Sequence, residues 1–505
     1  MLLVLLIVAP LIAAGLVCLG AGREDAAARR LGLVFSAAIA ALGLPLLWQG
    51  DSAIVHDWFR LWGTDASVRF HLASDGLSAW LIQLVTFLTP IAILATRSRV
   101  RDMAVCALVM ESLMIGALLA RDLVPFYVFY EGMLVPMVVM VAGMGGRDRR
   151  GAALQFFLYT MLGGALMLVG IWYIAWKLGT TDLATVAANI GQLPANARLA
   201  LFASFCLAFA VKVPLPPLHG WQARVYAEAP AGAAVLLAGA MAKVGVYGFL
   251  RLVLPLFPAE SAQYASWFIA LGLVAVVAGA LMAMVQVDAK RLVAYSSLSH
   301  LGLVMVGIFT FEAAALSGAA VLMVAHGLSV AAMFLLLGMV EEASGRRGVD
   351  EFGGLAASMP FFAVLLVTAA LATAALPGTA NFVGEFLLLL GIFQDRPWIA
   401  AIAGLSTILT AVYVLRLLQR WLFGKPTGDL IIGDVPSRLA WAVVPLLIAA
   451  IGLGFYPRPI SSAAAPALDA LAKPARAAKS ALHQPVEPAA ATAAVPASED
   501  AHVAR

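Results

Sequence analysis

The chain has 505 residues, 63% of them hydrophobic and 12% charged, with a net charge of +4 and a mean hydropathy of +0.96. Soluble domains carry about 25% charged residues, so a soluble enzyme or a nucleic-acid-binding module is excluded. The small positive charge is the loop signature of a polytopic membrane protein. Three cysteines, Cys18, Cys106 and Cys206, fall on separate apolar stretches without ligand spacing, which argues against a disulfide framework, a zinc site or an iron–sulfur cluster.

A helix needs about 20 mainly apolar residues to cross a bilayer, and fourteen such spans can be read in order. They cover 2–20, 31–49, 75–96, 102–120, 123–143, 152–176, 198–217, 232–253, 265–286, 291–311, 314–341, 358–393 (interrupted), 399–422 and 438–456. The fold class expected is therefore all-α. The first apolar stretch lacks a charged leader and reads as a span, not a signal peptide. Residues 50–74, with Trp58 and Trp62, read as a polar loop, and 178–197 as a polar connector containing a surface helix. From 457 to 505 the chain turns Ala/Pro-rich with scattered charges and reads as a disordered tail.

Basic residues cluster in loops after odd-numbered spans: Arg23, Arg29 and Arg30, then Arg97, Arg99 and Arg101, then Arg147, Arg149 and Arg150, and later Lys290, Arg291, Arg346 and Arg347. Arg60, Arg69, Arg121 and Arg251 are assigned to the sparser even-numbered loops. The positive-inside rule then puts odd loops in the cytoplasm and both termini on the periplasmic side of a bacterial inner membrane.

Residues 102–253 (spans four to eight) and 265–422 (spans nine to thirteen) share a layout offset by roughly 163 residues, the separation of Pro214 and Pro377. Residues 1–101 precede these two five-span units and 438–456 follows as span fourteen. An odd number of spans per unit inverts the second copy, as in transporters whose interrupted helices mark the ion site. Pro214, Pro216 and Pro217 interrupt span seven; Pro377 and Gly378 interrupt span twelve.

Inside these spans lie ionisable residues that cost about 2.5–3.5 kcal/mol each to insert, which makes them functional candidates. Lys212 stands beside the first break, and Lys243 sits mid-span, too deep for its side chain to reach the interface. Glu131, between Pro125 and Pro136, is the natural counter-ion. A Glu–Lys pair whose separation changes is a proton-affinity switch. His300 and His326, on consecutive spans, can each donate and accept a proton, with Ser296, Ser297, Ser299 and Ser329 beside them. Glu385, two turns past the second break, fits a terminal acceptor on the outer side. Glu111 is equally deep but has no evident partner. Arg147, Arg149, Arg150, Glu341 and Glu342, at span ends, read as solvated. No phosphate-cradling motif, metal cluster or nucleophile triad is present in the sequence, so ions must be driven by a gradient or by a partner.

The segments FYVFYEGMLVPM, AFAVKVPLPPLHGWQARVYAEAPAGAAVLLAGAMAKVGVYGFLR, DAKRLVAYSSLSHLG and ALPGTANFVGEF resemble the antiporter-like subunits of respiratory complex I. The resemblance covers about residues 1–456. Glu385 matches the subunit M branch, whereas subunits L and N tend to carry lysine there, and the long lateral helix of subunit L is missing. The resemblance implies that Glu131 and Lys212 form the coupling pair, Lys243 the central relay lysine, His300 and His326 its continuation, and Glu385 the end of the path. It also implies partners among the neighbouring subunits L and N, with NADH, FMN, iron–sulfur clusters and quinone carried by other chains. A cation/proton antiporter subunit, a hydrogenase-linked pump and a non-conducting spacer remain open alternatives.

Overall fold

The computed structural model describes residues 1–482 except 23, 49, 62, 65 and 426–432. Arg23 of the first basic cluster, Trp62 of the polar loop and tail residues 483–505 thus lie outside the described residues. Among the described residues, thirteen helices are long and apolar enough to cross a membrane, and the interrupted segment 360–395 adds a fourteenth span.

In chain order they are α1 (Leu2–Gly20), α2 (Asp25–Leu47), α3 (Gly76–Ala95), α4 (Val100–Leu119), α5 (Leu123–Met144), α6 (Arg149–Leu178), α7 (Ala195–Lys212) and α8 (Ala231–Leu256). Then follow α9 (Ala265–Met284), α10 (Ala289–Thr310) and α11 (Ala313–Ser344). Span twelve is two helices, α12 (Pro360–Thr373) and α13 (Ala380–Asp395), before α14 (Pro397–Phe423) and α15 (Ser437–Phe455). Both breaks fall where proline removes a backbone donor: α7 stops at Lys212 and α12 stops at Thr373. Helices α8, α10 and α11 are enclosed by the others, while α6 turns Leu158, Leu162 and Val169 outward. Apolar residues facing outward are what a lipid solvent selects.

Helix α8 is not uniform. Leu237–Met241 and Phe249–Val253 are π-helical turns, with a regular turn carrying Lys243 between them. A π turn leaves backbone carbonyls imperfectly paired and is frequent at functional sites.

Two expectations fail on one face of the bundle. Residues 50–74 are not a loop but a hairpin, β1 (Ser52–Arg60) paired antiparallel with β2 (Ser67–Ser74), with a register shift between Asp57 and Phe59. Val68, Phe70 and Leu72 alternate with Arg69 and His71, the period-2 signal of a strand with one packed face. The tail is ordered over Arg458–Leu482 as helix α16. Its Ile460, Leu468, Leu471 and Ala475 are buried at helical spacing against α3, α11 and the short helix Pro258–Gln263. Pro466 and Pro474 lie within α16 without ending it, and its high alanine content supplies helix propensity. At one end Trp80 Nε1 donates to the Pro459 carbonyl at 3.0 Å. At the other, Lys479 Nζ donates to Asp395 at 2.6 Å and Arg476 to the Phe311 carbonyl at 3.1 Å. The helix thus straps across the ends of spans from both halves of the chain.

Candidate functional site

Lys243 extends its ammonium from the regular turn of α8 back toward the first π turn, as helical side chains lean toward the N-terminus. There Nζ donates to the Ala238 carbonyl at 2.5 Å and to Nδ1 of His326, on α11, at 2.9 Å. The His326 ring stands 5.2 Å from the His300 ring of α10, centroid to centroid, tilted by 41°. His300 Nδ1 donates to the Ser296 carbonyl at 2.8 Å. Its Nε2 lies 3.1 Å from Glu385 Oε1, close enough for an ion pair but misaligned for a hydrogen bond. The Thr373 carbonyl, freed where α12 ends, also faces His300. Glu385, on α13, accepts from the Thr407 hydroxyl of α14 at 3.0 Å. Four sequence-expected residues on four helices thereby form one line of contacts, and all four are buried.

Close helix contacts make this line possible. A methyl at Gly384 would stand 2.8 Å from Leu322 N, so α13 rests on the backbone of α11. Small residues at such crossings are the usual device for close approach in a membrane.

The other half of the site departs from expectation. Lys212 is buried at the end of α7, where it donates to the Tyr130 carbonyl at 2.9 Å, its Nζ 3.4 Å over the Tyr130 ring centroid. Among the described residues no ion pair joins it to Glu131. The Glu131 carboxylate is packed over Gly164 of α6, with Oε1 buried and without a hydrogen-bond partner. Gly245 of α8 brings the two halves together, since a methyl there would stand 3.2 Å from Lys212 Cβ. Glu111 is fully buried on α4, both its oxygens without a partner, and it joins neither group.

Several polar residues were not anticipated. Tyr413 of α14 donates to Ser296 Oγ at 2.8 Å, and Asn381 of α13 donates to Ser329 Oγ at 3.1 Å. Thr407, Tyr413 and Asn381 are polar residues within apolar spans, the same signal that marked the lysines. Arg147, Arg149 and Arg150 are exposed as expected. Glu341 is not simply solvated: Lys290 Nζ meets it at 2.5 Å and Arg347 at 3.1 Å. Arg347 also binds Glu228 at 2.8 Å and Asp288 at 2.7 Å. These carboxylates hold its guanidinium above the usual arginine range against the opposing effect of burial. Beside this network a cleft of about 570 Å³ opens at the start of α8, lined by Arg97, Gly146, Glu228, Pro230, Lys290 and Glu341.

Arg121 lies in the connection between α4 and α5 as expected, though buried, whereas Arg251 is not a loop residue. It lies inside the second π turn of α8, and its side chain is buried too.

The chain is similar to known proteins over most of its length. Residues 120–410 match the family described as NADH:quinone oxidoreductase/Mrp antiporter, transmembrane. An NADH-quinone oxidoreductase subunit M of Rickettsia prowazekii (strain Madrid E) is 37% identical over 405 residues, 79% of this chain and 82% of that protein. An NADH-ubiquinone oxidoreductase chain 4 of Arabidopsis thaliana is 36% identical over 440 residues, 85% of this chain and 88% of that one. A chain of respiratory complex I from Thermus thermophilus, solved with bound NADH, superposes with a TM-score of 0.83 at 32% identity. That match covers 94% of this chain and all of the other.

Proposed function

Because this chain belongs to the NADH:quinone oxidoreductase/Mrp antiporter transmembrane family, we propose that it translocates protons as the subunit M-type component of complex I. The observation that carries the reading is the line of close contacts Lys243–His326–His300–Glu385. Each member holds or releases a proton, and each neighbour is within reach of direct or single-water transfer. Metal ions of the sodium class want clustered oxygen ligands, whereas this line is mostly nitrogen, which favours protons.

Lys212 and Glu131 are the coupling pair in this reading. Lys212, resting on Tyr130, and Glu131, with a free oxygen, are poised to engage. When electron transfer elsewhere in the complex draws them together, the proton affinity of Lys212 changes, and the change passes through the packed α7–α8 contact to Lys243. Moving one charge against 100 mV costs about 2.3 kcal/mol. Since one pKa unit is about 1.4 kcal/mol, modulation by about two units suffices. The cleft beside Lys290 and Glu341 fits an intake vestibule, and Glu385 the exit end. The two five-span units are inverted repeats in this reading, with the breaks in spans seven and twelve supplying the site.

The redox cofactors belong to other subunits of the complex, and the neighbours of this chain are its antiporter-like relatives L and N. The arginine-rich loops after odd spans support an inner-membrane orientation with both termini periplasmic. The test is Lys212→Ala and Glu131→Ala in the assembled complex, with protons pumped per electron as the readout. A fall in the ratio is expected, and an unchanged ratio refutes the reading. A sodium-dependent pH change without any electron donor would instead favour an independent antiporter.

A further inference from the structure

The end of α8 beyond Lys243 carries a second charged cluster. Tyr247 stands one turn on, over the same face of the helix, and Arg251 one turn further. Tyr247 donates to the Leu118 carbonyl at 2.7 Å and accepts from Arg251 Nε and from Arg121 Nη1, each at 3.0 Å. Arg121 Nη1 also caps the end of α4 through the carbonyls of Leu118 and Ala120, both at 3.2 Å. These are orphan acceptors of a helix C-terminus, where a cation is favoured. Both guanidiniums converge on one oxygen of Asp75, Arg121 at 3.2 Å and Arg251 closer still. The other Asp75 oxygen accepts the Ser78 amide at 3.0 Å and caps α3.

The charge count is uneven. Two guanidiniums share one carboxylate, and neighbouring Asp122 makes no ion pair with either of them; its oxygens accept from the amides of Arg69 and Val124 and from Thr181. A structural ion pair would be neutral, since an uncompensated buried charge is strongly destabilising. Here one net positive charge is retained between three helix ends, in line with the relay lysine and just beneath the hairpin, where the Arg121 amide donates to the His71 carbonyl at 2.8 Å.

We propose that Arg121 and Arg251, held on Asp75 and Tyr247, form an electrostatic seal that keeps protons on the hairpin face from reaching Lys243 along α8. The proposal rests on the proton-translocation reading above. Fixed arginines act this way in selective pores, where their charge excludes protons and cations. Arg251 is eight residues from Lys243, about 12 Å along the axis. At an effective dielectric near 20, one positive charge at about that distance lowers proton occupancy roughly tenfold.

The test uses the intact complex in liposomes, without electron donor, with the hairpin face on the acidic side. Decay of the imposed pH gradient is followed with a trapped pH-sensitive dye, and assembly is verified by the presence of this chain with its partner subunits in the purified complex. Arg251→Gln is expected to speed the decay about tenfold, and adding Lys243→Ala is expected to abolish that leak. Arg121→Gln, which removes the other guanidinium on Asp75, serves if Arg251→Gln does not assemble, and its leak must vanish with Lys243→Ala as well. A wild-type decay rate in the assembled variant, or a leak that survives Lys243→Ala, overturns the seal. Lys212→Ala reports separately on the translocation reading: loss of pumping there with no leak in Arg251→Gln rejects the seal alone.

Discussion

Replacing Gly384 by alanine should disable the end of the proposed relay without touching an ionisable group. The added methyl would come 2.8 Å from both N and Cβ of Leu322 and 2.9 Å from its Cα. Carbon atoms prefer about 3.5–4.0 Å, and the obstacle is backbone and Cβ, which cannot rotate away. Helix α13 must therefore retreat from α11 by about 1 Å, at an overpacking cost of about 1–3 kcal/mol. Glu385 is the next residue and moves with the helix, so its present 3.1 Å approach to His300 opens beyond contact. A misplacement of about 1 Å can cost about 100-fold in a transfer step. The assay is proton pumping per electron in assembled complex, alongside a thermal melt. Gly404→Ala is the control, because a methyl there meets nothing within 4 Å. A normal pumping ratio in assembled Gly384→Ala, or an equal loss in the control, would refute the reasoning.

Other outcomes follow from the same geometry. Arg347→Gln removes contacts to Glu228, Asp288 and Glu341 and should cost about 2 kcal/mol; a melting temperature equal to wild type would contradict it. Leu468→Ala on α16 empties a buried position and should cost about 2–5 kcal/mol, seen as faster proteolysis at the Arg458–Leu482 strap; unchanged cleavage speaks against a packed helix. Burial pushes the Asp182 carboxyl up, but hydrogen bonds from His71 and Thr185 prevail and hold it below its ordinary value. A depressed carboxylate stabilises above its unfolded value, about 3.9, and that contribution fades as pH falls through the folded value. Protection of the Arg121 amide from hydrogen exchange, taken relative to an unstructured amide at the same pH, should therefore fall in acid, and Asp182→Asn should show the lower protection already at neutral pH. A flat pH profile with an unaltered variant would sink this.

Much of the site is legible in the chain because charge inside an apolar span is rare and expensive. Lys243, His326, His300 and Glu385 stand out one at a time against their neighbours, and the structure sets them in line. Arg121 and Arg251 escaped for the opposite reason. Arginine near a span end is ordinary, and only the fold reveals that a π turn draws Arg251 inside and that two guanidiniums meet on Asp75. Tyr130 escaped because an aromatic ring in an apolar span carries no signal until an ammonium is found on its face.

The spans, the breaks at Pro214 and Pro377, and the buried residues Lys212, Lys243, His300, His326 and Glu385 were determined by sequence alone, because the bilayer imposes length, apolarity and backbone satisfaction on each segment separately. Tertiary structure alone decided who touches whom: Lys212 on Tyr130 and not on Glu131, hairpin strands where charges suggested a loop, and a packed helix over Arg458–Leu482 where composition suggested disorder. The Arg458–Leu482 helix packs on surfaces hundreds of positions away, as Trp80 on Pro459 shows, and Lys212 finds Tyr130, 82 positions earlier; only the hairpin left a local trace, the alternation of Val68, Phe70 and Leu72 with Arg69 and His71.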